Sequence, residues 1–178
     1  RIRPMAVVTP LVEAAEAAEA AATAAARPWY LKCENLQRSG AFKVRGAANM
    51  LLQLRPEERA RGVITFSSGN HGIAMSLATR ALGVPAFVVM PVGAPAAKAD
   101  LAAKLGATVI FEGTTTVERK ARAEFEAATR GLTIVPPFDH PWIIAGQGTI
   151  GLEVLEQCPD VSAVFVPCSG GGLISGIA

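Results

Sequence analysis

Short apolar runs alternate with helix-length segments through most of this chain, and that alternation confines it to a narrow set of folds. Residues 63–66 (Val-Ile-Thr-Phe), 86–90, 108–111, 132–135 and 163–166 read as strands, being short, apolar and rich in β-branched side chains. Residues 42–54, 73–82, 95–105, 116–130 and a stretch around 151–157 read as helices, with Gly83, Gly106 and Gly131 placed to end three of them. Strands so uniformly apolar are buried on both faces, and parallel neighbours need crossover helices between them. The expected class is therefore α/β, with parallel sheets covered by helices on both sides. An Ala- and Glu-rich segment, 11–26, reads as a surface helix entered through Thr9-Pro10, and 29–34 as a short strand.

Composition removes several function classes. The 17 basic and 15 acidic residues of the 178 leave a net charge of +2 with the signs mixed, so no basic stripe marks a nucleic-acid partner. No apolar run reaches the ~18–20 residues that cross a bilayer, so no membrane span is expected. Residues 1–8 hold too short an apolar stretch for a secretory signal. Cys33, Cys158 and Cys168 are odd in number and widely spaced, which suits neither a disulfide framework nor a zinc site and favours the reducing cytoplasm. With only His71 and His140 available, no histidine-based metal triad can be built, and no metal site is expected within these residues. The chain starts without Met and stops inside the apolar stretch 173–178, so it is expected to be cut from a longer protein.

Chemistry concentrates in two loops and one lysine. Ser169-Gly170-Gly171-Gly172 follows a strand and precedes a helix, where glycines let the backbone wrap a ligand and free N–H groups favour a phosphate. A tight turn without ligand fits the same residues. Ser67-Ser68-Gly69-Asn70-His71-Gly72 occupies the same strand-loop-helix position and suits a second anion such as a carboxylate, although Ser68 or Asn70 as a simple helix cap is the commoner role. Lys43, in Ser39-Gly40-Ala41-Phe42-Lys43-Val44-Arg45-Gly46, sits among small residues near a helix start. Most helix lysines are solvated, but one kept partly out of water has the lowered pKa that Schiff-base chemistry requires. An amine, a phosphate loop and a carboxylate loop together suit an amino acid reacting on an aldehyde cofactor. Gly146-Gln147-Gly148-Thr149-Ile150-Gly151 matches a dinucleotide fingerprint but lacks a lead-in strand and an acidic residue ~20 positions later; it reads as a helix start with close backbone packing.

The segment 34–47, from Glu34-Asn35 through Phe42-Lys43-Val44 to Gly46-Ala47, resembles the cofactor-lysine segment of serine/threonine dehydratases and serine racemases. These belong to the tryptophan-synthase-β-like, fold-type II pyridoxal-phosphate enzymes. Ser67–Gly72, Pro136-Pro137-Phe138-Asp139 with Ala145–Thr149, and Ser169–Leu173 are similar to further segments of that family, in the family's order. The resemblance implies two parallel three-layer (αβα) domains: a large cofactor domain from 1–61 and 141–178, incomplete here, and a small domain from 62–140 that closes over substrate.

It also implies that Lys43 bonds pyridoxal 5'-phosphate and later moves the α-proton, with Phe42 packed near the cofactor ring. Asn70 would bond the cofactor's 3′-oxygen. Ser67, Ser68, Gly69, Asn70 and His71 would hold the substrate carboxylate, Ser68 being the residue to test for proton transfer on the opposite face. Ser169, Gly170, Gly171, Gly172 and Leu173 would bind the phosphate through backbone N–H groups.

The implied reaction is β-elimination from L-threonine or L-serine, giving a 2-oxo acid and ammonia, in a homodimer or homotetramer. The alternatives are a serine racemase or a hydroxy-aspartate dehydratase/racemase on the same scaffold, or a non-catalytic ligand-binding fragment. A sulfhydrylase fits less well, because His71 stands where that group typically has Thr. Ala41 and Ile73 depart from the family's usual Ser and Gln, which bears on substrate more than on cofactor. Ser169 replaces the first of the usual four glycines, which is tolerated if its N–H points inward and could add a hydroxyl contact to the phosphate. The pyridine-nitrogen partner and a divalent-cation site are expected from residues beyond 178, and residues 1–178 alone are expected to have little activity.

Overall fold

The computed structural model describes residues 1–14, 28–67 and 69–178. Val63–Phe66 (β3), Ala86–Met90 (β4), Thr108–Phe111 (β5) and Thr133–Ile134 (β6) form one parallel sheet in the order β5-β4-β3-β6. Asn70–Leu82 (α3), Ala96–Lys104 (α4) and Thr116–Arg130 (α5) are its crossovers. Alternation along the strands divides the core. Val63, Val88 and Met90 pack with Ala74, Met75, Ala78, Ala99 and Ala102 from α3 and α4. Ile64, Phe66 and Val89 pack with Ala123 and Ala127 from α5. Both faces are thus covered, as the unbroken apolar strands require. Gly83 and Gly131 end α3 and α5 in the left-handed conformation, and Thr115 with Glu118 forms a capping box at the start of α5.

The rest of the chain adds Leu11–Glu13 (β1) paired antiparallel with Tyr30–Lys32 (β2), and the helices Lys43–Leu51 (α1), Pro56–Arg61 (α2), Pro141–Gln157 (α6) and Gly172–Ile177 (α7). Helix α1 packs against α3 on one side and α6 on the other, and α6 packs against α7. Glycine makes these contacts possible. A Cβ on Gly146 would lie 2.6 Å from both the Arg45 carbonyl oxygen and the Gly46 Cα, and one on Gly148 would run into the Gly176 carbonyl. Beside this interface the fully buried Arg45 donates to Glu34 at 2.7 Å and to Glu153 at 2.6 Å, while Lys32 donates to Glu153 at 2.6 Å and to the Thr9 carbonyl at 2.7 Å.

Five expectations need correction. Residues 11–13 are a strand rather than the start of a helix, because pairing with β2 outweighs local propensity; 15–27 of that expected helix lie outside the described residues. Residues 56–61, which fall outside every expected element, form α2, with Pro56 at its first position. Helix α3 begins at Asn70, so Asn70, His71 and Gly72 are its first turn and not loop. Helix α6 begins at Pro141, with His140 Nδ1 accepting from the Trp142 amide at 3.1 Å, so the fingerprint-like glycines lie inside the helix. Residues 163–166 pair with no described segment; Val164 and Phe165 stay exposed, and Phe165 stacks on Trp29 with ring centroids 5.4 Å apart. A strand needs a ladder partner, which local composition does not supply.

Candidate active site

Lys43 is the first residue of α1, entered from a turn in which Gly40 takes φ +71°, a value open to Gly at no steric cost. The amine folds back toward the exit of β6. Its Nζ donates to the Pro137 carbonyl at 2.7 Å and lies 5.3 Å from the Phe42 ring centroid. Burial lowers the Lys43 pKa from its ordinary value of 10.5, because the charged form loses water.

Residues 167–173 approach the same point. Gly171 caps α7 at φ +82°, and the loop lies directly on Phe138: a Cβ on Gly170 would meet the ring at 2.5 Å, and one on Gly172 the Phe138 carbonyl oxygen at 2.6 Å. Phe42, Lys43, Pro137, Phe138, Gln147 and residues 167–173 enclose a cavity of about 330 Å³, within the range of small-ligand sites. The structure thus brings together Phe42, Lys43, Ser169, Gly170, Gly171, Gly172 and Leu173, every expected cofactor residue except Asn70.

The other loop is placed differently. Ser67, Gly69, Asn70 and His71 do not line this cavity, and Ser68 lies outside the described residues. Ser67 Oγ accepts from the Gly69 amide at 3.2 Å, a local turn, and Asn70 is exposed. His71 is buried, with Nε2 donating to the Val135 carbonyl at 3.2 Å and Nδ1 without a partner. Burial, and then the charge of Lys43, pull its pKa down to about 4, so the ring is neutral at neutral pH. Lys43 and His71 therefore both bond main-chain carbonyls of the single stretch 135–137. Pro137 and Phe138 are visible in the sequence only as part of family-like segments, Gln147 as part of one and of the fingerprint-like run, Cys168 only as a cysteine, and Pro167 not at all. Gln147, set between two glycines of close-packed α6, carried the one signal that could have been followed.

The pyridoxal-phosphate dependent enzyme family matches residues 2–178. The chain belongs to that family. Within it, the chain is 51% identical over 148 residues to a protein named putative threonine dehydratase from Sinorhizobium fredii, covering 83% of this chain and 45% of that one. It is 49% identical over 149 residues to the L-threo-3-hydroxyaspartate ammonia-lyase of Saccharomyces cerevisiae, covering 84% and 46%. The structure of maize serine racemase superposes with a TM-score of 0.92 at 37% identity, covering 100% of this chain and 53% of that one. This member of the pyridoxal-phosphate family thus spans about half the length of the relatives it matches, and its fold is that of the fold-type II enzymes.

The residues fit the family's cofactor. They offer an amine of lowered pKa, an aromatic wall at Phe42, and a Gly-rich loop whose main chain can approach a phosphate. Among the described residues no group of His, Cys, Asp and Glu could hold a metal ion, and no helix is long and apolar enough to cross a membrane.

Proposed function

We propose that the full-length protein converts L-threonine or L-serine to the 2-oxo acid and ammonia, using pyridoxal phosphate carried on Lys43. The β-hydroxyl is eliminated as water, and one water is taken up as ammonia leaves. The observation that carries this reading is the convergence of Lys43, Phe42 and residues 169–173 on one cavity. Bound there, the cofactor supplies an electron sink for the pair left when the α-proton departs. The protein's part is positional. Lys43 holds the cofactor covalently, and its amine, once released, moves the α-proton; the Pro137 carbonyl is the acceptor toward which that amine is oriented. Phe42 flanks the ring, and Ser169, Gly170, Gly171, Gly172 and Leu173 hold the phosphate. Ser67, Ser68, Gly69, Asn70 and His71 hold the substrate carboxylate, with Asn70 also reaching the cofactor's 3′-oxygen.

Domain organisation belongs to the same proposal. Residues 1–61 and 141–178 form the cofactor domain and 62–140 the small domain, which closes on substrate and excludes water. Amide exchange in 62–140 is expected to slow when substrate is added; equal exchange with and without substrate would count against closure. The proposal also places the enzyme in the cytoplasm, as two or four copies, which sedimentation of the full-length product tests.

The deciding assay gives the full-length gene product pyridoxal phosphate and L-threonine, L-serine or L-threo-3-hydroxyaspartate in turn. Ammonia and the matching 2-oxo acid are expected, fastest from the first two. Preference for the third favours the hydroxy-aspartate reading, which the yeast relative supports. Racemisation of serine that Ser68→Ala abolishes, with elimination spared, favours the racemase reading, which the maize structure supports. Cofactor uptake without turnover of any of the three would leave a binding protein.

A further inference from the structure

His71 is 3% exposed and does not line the cavity, so its side chain can act on a ligand there only through another group. The backbone beside it supplies one. His71 Nε2 donates to the Val135 carbonyl at 3.2 Å, and the carbonyl two residues on, that of Pro137, accepts from Lys43 Nζ at 2.7 Å. The chain between these two acceptors is Val135-Pro136-Pro137. Each proline ring fixes its own φ and holds the residue before it in extended backbone. Few torsions are left to absorb a displacement, so a shift of the Val135 carbonyl is passed on to Pro137.

Both ends of the His71 contact are anchored. The Val135 amide donates to the Ile64 carbonyl of β3 at 2.8 Å, and Val135 is fully buried. A Cβ on Gly72 would lie 2.9 Å from Val88 Cγ1, so the first turn of α3 presses directly on β4. The imidazole is thus a strut between the sheet-bound start of α3 and the segment that receives the lysine.

We propose that the His71 imidazole is a positioning residue for Lys43. By holding the Val135 carbonyl it fixes where the Pro137 carbonyl stands, and with it the direction of the amine's lone pair. A neutral amine that donates one N–H to a carbonyl keeps its lone pair turned away from that oxygen, where an aldehyde carbon can meet it. Misplacing a reacting atom by about 1 Å can cost on the order of 10²-fold in rate. A pKa of about 4 keeps the ring neutral, with its proton on the nitrogen that faces Val135. The inference rests on the reading above that Lys43 carries pyridoxal phosphate. It gives the imidazole a task separate from the substrate carboxylate.

The experiment therefore uses a step that involves no substrate, the attachment of pyridoxal phosphate to the full-length gene product stripped of cofactor. Nζ bonds the aldehyde carbon and water leaves, and absorbance follows the rate. Wild type is compared with His71→Met, which has no donor, and with His71→Gln, which places an N–H about where Nε2 stands. Titration with 4′-deoxypyridoxine phosphate, which lacks the aldehyde and cannot bond Lys43, measures how well the cavity itself is formed. His71→Met is expected to attach the cofactor about tenfold more slowly while binding the deoxy compound within about twofold of wild type. His71→Gln is expected to recover the rate to within about threefold of wild type. Attachment by His71→Met at the wild-type rate overturns the proposal. Rate and deoxy affinity falling together also overturn it, being the mark of a packing role, as does a Gln variant no faster than Met.

A measurement on the wild type does not depend on either variant folding. The His71 ring N–H resonance is expected to move when pyridoxal phosphate bonds Lys43, and to move less when the deoxy compound binds beside the free amine. A resonance that stays fixed on attachment, or moves equally with both compounds, overturns the proposal. If the wild type takes up no pyridoxal phosphate, the functional reading falls and this one with it; attachment that ignores residue 71 removes this one alone.

Discussion

Replacing Lys43 with Ala in the full-length protein is expected to remove the absorbance of covalently held cofactor and to lower ammonia release by on the order of 10⁴-fold or more, since under the proposed function one nitrogen both attaches the cofactor and moves the proton. The environment of the amine supports both tasks. Partial burial lowers its pKa, so the neutral form that can bond an aldehyde or accept a proton is more available near neutrality than in a solvated lysine. The Pro137 carbonyl at 2.7 Å gives the amine a fixed orientation without adding a charge. The pH profile follows with a definite sign. Activity that requires the unprotonated amine should rise with pH around a midpoint below the ordinary lysine value of 10.5. Covalent cofactor surviving in the Ala variant, or activity within about tenfold of wild type, would move the role to another amine.

Arg45→Ala should destabilise the fold by roughly 3–5 kcal/mol. Arg45 is 1% exposed and bonds both Glu34 and Glu153, while Glu153 also accepts from Lys32. Removing the guanidinium leaves Glu34 and Glu153 side chains that are only 14% and 12% exposed without their main partner. Burial by itself raises the Glu153 pKa, but the hydrogen bonds from Arg45 and Lys32 outweigh it and hold the carboxyl below its usual 4.5. A depressed carboxylate stabilises the fold above its unfolded pKa and loses that contribution as pH falls through the folded one. Acid below about 4.5 should therefore weaken the wild type more than the variant, which has already lost the pairing. Urea midpoints at pH 7 and pH 4 measure both effects. A loss under about 1 kcal/mol at pH 7 would mean that water replaces the guanidinium at little cost.

Much of the sheet was legible because its strands are short, apolar on both faces and separated by helices with clear ends. Residues 63–66, 86–90 and 108–111 are strands as expected, and 116–130 is a helix with the expected bounds. Local signals failed where distant contacts decide. Gly146, Gly148 and Gly151 depress helix propensity, yet α6 runs through them because only glycine lets α1 and α7 approach so closely. The strand β1 exists by pairing with β2, some twenty residues away in the chain.

At the site, Lys43 and the loop 169–173 stood out by residue type. The contacts of Pro137, Phe138 and Gln147 did not, because their part depends on which backbone they touch. Ser67–His71 was legible as a polar strand-to-helix junction, but the position of Ser67, Gly69, Asn70 and His71 off the cavity depends on how α3 packs.

The stretch Pro137-Phe138 touches Lys43 on one side and the Gly-rich loop on the other, although the three are separated by some ninety and thirty residues of chain. No single stretch of sequence can make this site ahead of the others. Joining ends so far apart is entropically slow compared with forming any one helix. During synthesis, the lysine must therefore wait for the sheet, for α6 and for the glycine loop to be made and docked before it has a cavity around it. Site assembly is thus a late event in the folding of this chain.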